Sequence, residues 1–227
     1  MSMHRSNQII SIFGRKGSGK TTLIGRLVEE YHSKFPENPI FVLDYLHDQE
    51  LPVKHDIIDY QEIPIKLNNR EAGIFVIRNQ VDSDVTIEQM TDFGIKMASK
   101  VKDCLIVIDE LDMNDEIGAA KLPKPLYMIV NYGRHIGVSL IAAARRTQAL
   151  PKTLLSQCDF IFAGQTVLPT EQKYFEEFGF EPEQLARLEV GEFLRYQAKG
   201  AIIRKVKVKP FHNNSVAIGE QTEEYEK

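Results

Sequence analysis

The sequence predicts an α/β fold with a mostly parallel central sheet and helices on both of its faces. Apolar runs bounded by turn residues alternate along the chain with segments of helical periodicity, which is the pattern of strands connected by crossover helices. With 227 residues and 43% hydrophobic content, the chain can bury one sizeable core. We therefore expect a single domain over residues 1–210, followed by a flexible acidic tail at 211–227.

The elements follow one another in a regular order. Strands are predicted at Ile9–Phe13, Ile40–Leu43, Ile74–Ile77, Cys104–Ile108, Val138–Ala143 and Phe160–Ala163. Helices are predicted at Leu23–Tyr31, Thr86–Lys100, Pro125–Tyr132, Thr170–Phe178 and Pro182–Leu188. A hairpin is expected from Phe193–Tyr196 and Ala201–Lys207, and an irregular excursion over Asp48–Arg70.

A glycine-rich turn joins the first predicted strand to the first predicted helix and matches the phosphate-loop pattern G-x-x-x-x-G-K-[ST]. Gly17 and Gly19 permit backbone angles that let successive amides point inward around phosphates. Lys20 supplies a charge to the outer phosphates, and Thr21 offers a hydroxyl to Mg²⁺. The sequence therefore predicts binding of ATP with Mg²⁺. The predicted nucleotide-binding residues are Gly14, Arg15, Lys16, Gly17, Ser18, Gly19, Lys20, Thr21 and Thr22.

Two adjacent carboxylates end the fourth predicted strand, where strand tips of a parallel sheet meet the phosphate loop. Asp109 is placed to hold the Mg²⁺ water shell. Glu110 is placed to orient and deprotonate the attacking water. Because a kinase uses its acceptor as the nucleophile, this acidic pair favours ATP hydrolysis.

Composition excludes several classes of protein. A net charge of −4 argues against coating nucleic acid over the whole surface, but it does not exclude a ring that touches DNA with a few residues. Cys104 and Cys158 lie in apolar runs, where buried, reduced thiols are expected. With no membrane span or signal peptide in the pattern, we expect a soluble intracellular protein without membrane insertion.

A third segment, Asn131 to Pro151, carries arginines at both ends of a predicted strand. Together with the two motifs above, it resembles the FtsK–HerA superfamily of ring-forming DNA-pumping ATPases. The resemblance implies a RecA-like P-loop NTPase fold of the ASCE type. It also implies that Arg134 acts on the neighbouring subunit's nucleotide and that Arg145 occupies the phosphate-sensor position. The family usually has Gln followed by Arg-Pro there, whereas this chain has Arg145-Arg146-Thr147, with Gln148 displaced by three.

Within that superfamily the compact chain is most similar to the genome-packaging ATPases of tectiviruses, tailless viruses with an internal membrane. This resemblance implies translocation of double-stranded DNA by a homo-oligomeric ring, expected to be a hexamer. It also implies capsid vertex or portal partners, and a location at the packaging vertex of the virion and in the host cytoplasm.

Two segments are candidates for DNA contact, and the sequence does not choose between them. One is the interval Gly118–Pro125, with Lys121 and Lys124. The other is a basic stripe between Arg195 and Lys209 in the terminal hairpin.

Two other functions fit the same motifs. The chain is a P-loop nucleotide or small-molecule kinase if Arg145 and Arg146 are lid arginines. It is a non-enzymatic assembly factor if bound ATP serves only to stabilise a capsid vertex. Strand order separates the kinase from the hydrolase, because the hydrolase class has a strand between the phosphate-loop strand and the acidic strand. We expect Val138–Ala143 to occupy that middle place.

Overall fold

The computed structural model describes most of the chain, namely residues 7–45, 51, 54–59, 62, 64–65, 71–78, 89, 92, 95–96, 100–113, 122–147 and 150–210. The strands of this part are β1 (Ile9–Phe13), β2 (Ile40–Leu43), β3 (Asp56–Asp59), β4 (Ile74–Arg78), β5 (Cys104–Ile108), β6 (Val138–Ala144), β7 (Phe160–Ala163), β8 (Glu192–Gln197) and β9 (Ile202–Lys207). The helices are α1 (Lys20–Lys34), α2 (Lys124–Ile136), α3 (Lys152–Ser156), α4 (Pro169–Glu176) and α5 (Pro182–Arg187).

These strands form one sheet in the order β3-β4-β2-β5-β6-β1-β7-β8-β9. The strands from β3 to β7 in this order pair in parallel, and β8 and β9 add an antiparallel hairpin at one edge. Strand β6 pairs with β5 on one side and with β1 on the other. The predicted middle position of this strand is therefore confirmed, and the strand order is that of the hydrolase class.

The core has two layers because successive strand residues point to opposite faces of the sheet. On one face, Ile10 and Ile12 of β1 pack with the apolar side of α1, including Leu23, Leu27 and Tyr31. On the other face the core includes apolar residues of α2, α3 and α5 and the aromatic residues of the segment from 175 to 180. The prediction of helices on both faces is confirmed.

The connection from α2 to β6 is a tight turn that places the end of the helix. Gly137 adopts a left-handed φ of 71°, and its amide donates to the carbonyl of Gly133. A Cβ at Gly137 would lie 2.1 Å from Oδ1 of Asp103, so the turn requires glycine. This turn fixes the last helical turn, which carries Arg134, at the start of β6.

The predicted bounds agree with most elements, with one clear error. The stretch predicted to be irregular contains β3, whose four residues pair in parallel with β4 at the edge of the sheet. A four-residue edge strand with acids at both ends carries too weak an apolar pattern to be recognised. Most of the predicted helix Thr86–Lys100, the predicted tail 211–227, Lys121 and Gln148 lie outside the described residues.

Cys104 and Cys158 are buried and reduced, as expected, and burial raises the pKa of each thiol to about 12. In the described part of the chain, no helix is long and apolar enough to cross a membrane.

Candidate active site

The phosphate loop follows β1 and opens directly into α1, which begins at Lys20. Gly17 and Gly19 adopt left-handed φ angles of 77° and 94°. The ammonium of Lys20, only 5% exposed, donates to the carbonyl of Gly14 at 2.9 Å. The hydroxyl of Ser18 is buried and has no hydrogen-bond partner among the described residues. The loop thus holds a buried cation and an unpaired polar atom at the start of a helix, where anions bind.

A glycine before the C-terminal hairpin braces this loop. The Gly191 amide donates to the Ser18 carbonyl at 2.9 Å, and the Gly191 carbonyl accepts from the Val208 amide at 2.7 Å. A Cβ on Gly19 would lie 3.2 Å from the Cα of Gly191. The sequence analysis missed this brace, because no pattern within a short window links Gly191 to the phosphate loop.

The acidic side of the site lies at the end of β5. The hydroxyl of Thr21 donates to Oδ2 of Asp109 at 3.3 Å, so the two predicted Mg²⁺ ligands are neighbours. Burial raises the pKa of Asp109 to about 6; the nearby Lys20 opposes the rise and the charge of Glu110 adds to it. A buried carboxylate between a lysine and a hydroxyl is a suitable neighbour for a bound cation.

Glu110 is held in an unusual conformation beside this pair. Its φ is 55°, in the left-handed region that non-glycine residues rarely adopt, and its amide donates to Oδ1 of Asp109 at 2.9 Å. Its Oε2 forms an ion pair with Nε of Arg145, which follows β6 directly. The Arg145 amide donates in turn to the carboxylate of Asp112, at 3.2 Å to Oδ1. The structure therefore brings Arg145 to Glu110, as expected for residues of one active site.

Arg134 lies far from this site. It lies in the last turn of α2, near the end of the sheet at which β6 begins. The phosphate loop and Arg145 lie at the opposite end, where β1 and β6 end. A seven-residue strand is roughly 20 Å long. The side chain of Arg134 lines an open cavity of about 450 Å³ together with Asn7, Gln8, Asp159, Phe160, Gln197 and Lys199. Arg134 therefore belongs to a separate surface from the phosphate loop of its own chain.

Another buried carboxylate, which the sequence analysis did not single out, ends the strand next to β5. Asp44 follows β2, is 2% exposed, and accepts a hydrogen bond from Nε of Arg78 at 2.7 Å. Because Leu43 pairs with Ile108, Asp44 lies one strand away from Asp109 at the same edge of the sheet. An acid directly after a short apolar strand was the available signal.

The predicted basic stripe is not a single surface. Arg195 is 8% exposed and lies over the ring of Phe160. Lys205 and Lys207 both pair with Glu192 across the hairpin, at 3.0 and 3.4 Å. Successive strand residues alternate between faces, which separates Arg195 from the two lysines, and Lys207 also pairs with Glu189 at 3.5 Å, so two carboxylates face these two lysines.

The remaining predicted residues are exposed or half-buried. Arg15, Lys16 and Gly17 form the exposed crest of the phosphate loop, Thr22 is half-buried in α1, and Lys124 is exposed at the start of α2.

The residues present fit ATP and Mg²⁺. The left-handed glycines open the backbone amides to a phosphate, and the unpaired Ser18 hydroxyl and the buried Lys20 ammonium are available to its oxygens. Thr21 and Asp109 provide oxygen atoms only, which is the ligand chemistry that Mg²⁺ prefers.

Fold and site together define a P-loop NTPase. A family model described as AAA domain matches residues 3–150, so the chain belongs to that family. A search of curated proteins gives no match.

Several solved structures share the fold. The genome-packaging NTPase B204 of Sulfolobus turreted icosahedral virus 2, in complex with sulfate, has a TM-score of 0.69 and 19% identity, covering 92% of this chain and 100% of that one. B204 of Sulfolobus turreted icosahedral virus, described as a DNA-packaging ATPase, has a TM-score of 0.66 and 22% identity, with the same coverage. The bacterial conjugative coupling protein TrwB has a TM-score of 0.66 and 11% identity, covering 94% of this chain and 88% of that one. At these identities the likeness shows the fold, which is the RecA-like fold predicted from the sequence.

Proposed function

We propose that this protein is an ATP-hydrolysing motor of the FtsK–HerA type that translocates double-stranded DNA as a homo-oligomeric ring, expected to be a hexamer. The fold shared with viral packaging ATPases and a conjugative coupling protein supports this class of function. The match to B204, which spans the whole of that DNA-packaging ATPase, supports a role in genome packaging at a capsid vertex.

The residues around the phosphate loop have complementary roles in hydrolysis. The loop amides and Lys20 hold the phosphates, and Glu110 takes a proton from the water whose oxygen attacks the terminal phosphorus. The bond from this phosphorus to the bridging oxygen breaks, and its electron pair leaves with ADP. Thr21 and Asp109 would hold Mg²⁺, which supplies neutralisation of phosphate charge when it is bound.

The base of ATP has a suitable surface on the other side of the loop. Strand β1 lies between β6, on the acidic side, and β7. The segments after β7 and before β8 approach the phosphate loop through Gly164 and Gly191. They carry the exposed apolar residues Val167, Leu168 and Val190. We place the adenine against these side chains, since a purine ring stacks on apolar surface.

The observation that carries the ring proposal is the position of Arg134. Arg145 follows the end of β6 in its own active site, whereas Arg134, in the last turn of α2, lies near the opposite end of that strand. A guanidinium separated from its own phosphate loop by the length of a strand cannot reach its own nucleotide, so a role of Arg134 in hydrolysis requires the nucleotide of another copy. A head-to-tail arrangement of identical subunits provides that contact, and such contacts close into rings.

DNA contact is assigned to the segment around Lys121 and Lys124. Lys124 is exposed. In the hairpin, which is the other candidate, Arg195 is buried, and Lys205 and Lys207 form ion pairs with Glu192. Lysines in this segment would grip phosphates without reading sequence.

The proposal is tested by measuring ATP turnover per subunit against protein concentration, with and without duplex DNA. Turnover should rise steeply as the ring assembles, and DNA should increase it. Arg134→Ala should lower kcat by at least about a hundredfold while binding of a fluorescent ATP analogue is retained. An enzyme equally active as a monomer at every concentration would overturn the proposal.

The same preparation separates the alternatives. A kinase would release little phosphate in the absence of an acceptor, whereas the motor needs none. An assembly factor would not turn over ATP at all.

A further inference from the structure

The cavity that Arg134 lines, at the end of the sheet away from the phosphate loop, is lined by a second cationic side chain. Lys199 lies in the turn between β8 and β9 and lines the same cavity of about 450 Å³. Both side chains are exposed, and within the described residues neither is paired with a carboxylate. Asp159, the acid in the lining, accepts a hydrogen bond from the Ile9 amide at 2.9 Å. The cavity thus has an excess of positive charge.

Hydrogen bonds fix the two backbone segments that carry these cations. The Ala198 amide donates to the carbonyl of Asp159 at 3.0 Å, which fixes the start of the hairpin turn against β7. The side-chain amide of Asn7 donates to the carbonyl of Arg134 at 3.5 Å, which ties the end of α2 to the start of β1. Lys199 is therefore carried by a turn anchored beside Arg134.

The cavity also contains an unsatisfied buried group. Gln8 is 9% exposed, and its Oε1 has no hydrogen-bond partner among the described residues. Leaving a buried polar atom unpaired costs free energy. A ligand with hydrogen-bonding groups would satisfy it, so the lining points to a polar anionic ligand that presents donors as well as charge.

We propose that this cavity receives the ATP bound to the neighbouring subunit, and that Lys199 is a second residue acting in trans, binding its phosphates together with Arg134. The inference rests on the proposed ring, in which the far edge of one subunit faces the phosphate loop of the next. Two cations are matched to a triphosphate better than one, because negative charge accumulates on the phosphoryl oxygens as the terminal bond breaks. The ribose hydroxyls of the same nucleotide supply donors for Gln8.

The test compares Lys199→Ala, Lys199→Arg and the control Lys209→Ala in the full chain. Lys209 is an exposed lysine at the other end of the same hairpin. Lys199→Ala should lower kcat about tenfold, Lys199→Arg should recover most of it, and Lys209→Ala should leave it within about twofold. Equal losses in Lys199→Ala and Lys209→Ala, or no loss in Lys199→Ala, would overturn the inference.

A mixing experiment shows whether Lys199 acts across the interface. Subunits with Lys199→Ala keep their own phosphate loop, and subunits with Lys20→Ala keep their hairpin turn. In an equal mixture, about a quarter of interfaces should combine an intact loop with an intact Lys199, so activity should exceed the sum of the two separate preparations. Purely additive activity would refute action in trans.

Failure of this inference can be told apart from failure of the ring proposal. If Arg134→Ala abolishes turnover and Lys199→Ala does not, the ring stands and the role of Lys199 is refuted. If wild-type turnover does not depend on protein concentration, the ring itself is refuted.

Discussion

Nε of Arg145 is paired with Oε2 of Glu110, so the residue that we propose as phosphate sensor contacts the residue that we propose to activate water. A terminal phosphate would compete with Glu110 for this guanidinium, because both present oxygen anions to it. We therefore expect ATP binding to release the Glu110 carboxylate from this pair.

Glu110→Gln tests the role of the carboxylate. The amide cannot accept the proton of water, so phosphate release should fall by about 10² or more. Binding of a fluorescent ATP analogue should be unchanged, because Glu110 lies beyond the loop that holds the phosphates. The exposed Glu37→Gln provides a control for the substitution. Near wild-type phosphate release from Glu110→Gln would show that another group activates the water.

Arg145→Ala tests the pair from the other side. Without the guanidinium, the terminal phosphate loses a group that positions it, and we expect kcat to fall about tenfold or more with little change in ATP affinity. Single-turnover phosphate release measures this step directly. Faster turnover in the variant would instead mean that the pair only restrains Glu110.

The two left-handed glycines of the phosphate loop provide a matched test of packing. Gly17→Ala meets no atom within 4 Å, so it should cost only the backbone strain of about 1–2 kcal/mol. Gly19→Ala adds a contact of 3.2 Å with the backbone of Gly191, which cannot move aside like a side chain. Urea unfolding of the nucleotide-free protein should show a larger loss of stability for Gly19→Ala. Equal losses would mean that the contact with Gly191 gives way freely.

Glu192 predicts a dependence of stability on pH. Burial tends to raise its pKa, but the Glu189 amide and the ammonium groups of Lys205 and Lys207 outweigh burial, and the net effect lowers the pKa. A lowered pKa in the folded state means that the stabilisation is present above the ordinary value of 4.5 and is lost as pH falls through the folded pKa. Glu192→Gln should therefore destabilise the protein at pH 7, and the difference from wild type should shrink below about pH 4.5.

Thermal unfolding across this pH range measures the effect. Glu183→Gln is the control, since the Glu183 side chain is 85% exposed and, among the described residues, its ion pair is with Arg187 on the surface of α5. A constant difference between Glu192→Gln and wild type at every pH would contradict the assignment.

The sequence predicted the features whose chemistry is local. The phosphate loop and the strand ending at Asp109 are contiguous segments, and their residue types and order are sufficient to place them at one edge of a parallel sheet. The middle position of β6 was also correct, although it depended on the strand order expected of the hydrolase class rather than on periodicity.

The parts that the sequence did not predict depend on contacts between distant segments. The brace from Gly191 to Ser18 joins residues more than 170 positions apart, and the pairing of Lys205 and Lys207 with Glu192 depends on hairpin register. Neither contact leaves a pattern within a short window. The inward position of Arg195 likewise depends on which face of β8 is covered.

The C-terminal hairpin lies between two functional regions of the chain, its own phosphate loop and the surface that carries Arg134. Its entrance at Gly191 is hydrogen-bonded to the phosphate loop of its own chain, and its turn carries Lys199 beside Arg134. In a closed ring, each β8–β9 hairpin would contact two successive nucleotide sites, one at each of its ends. A movement caused by phosphate release at one active site would then be transmitted to the next active site. The hairpin would thereby couple hydrolysis in successive subunits of the ring.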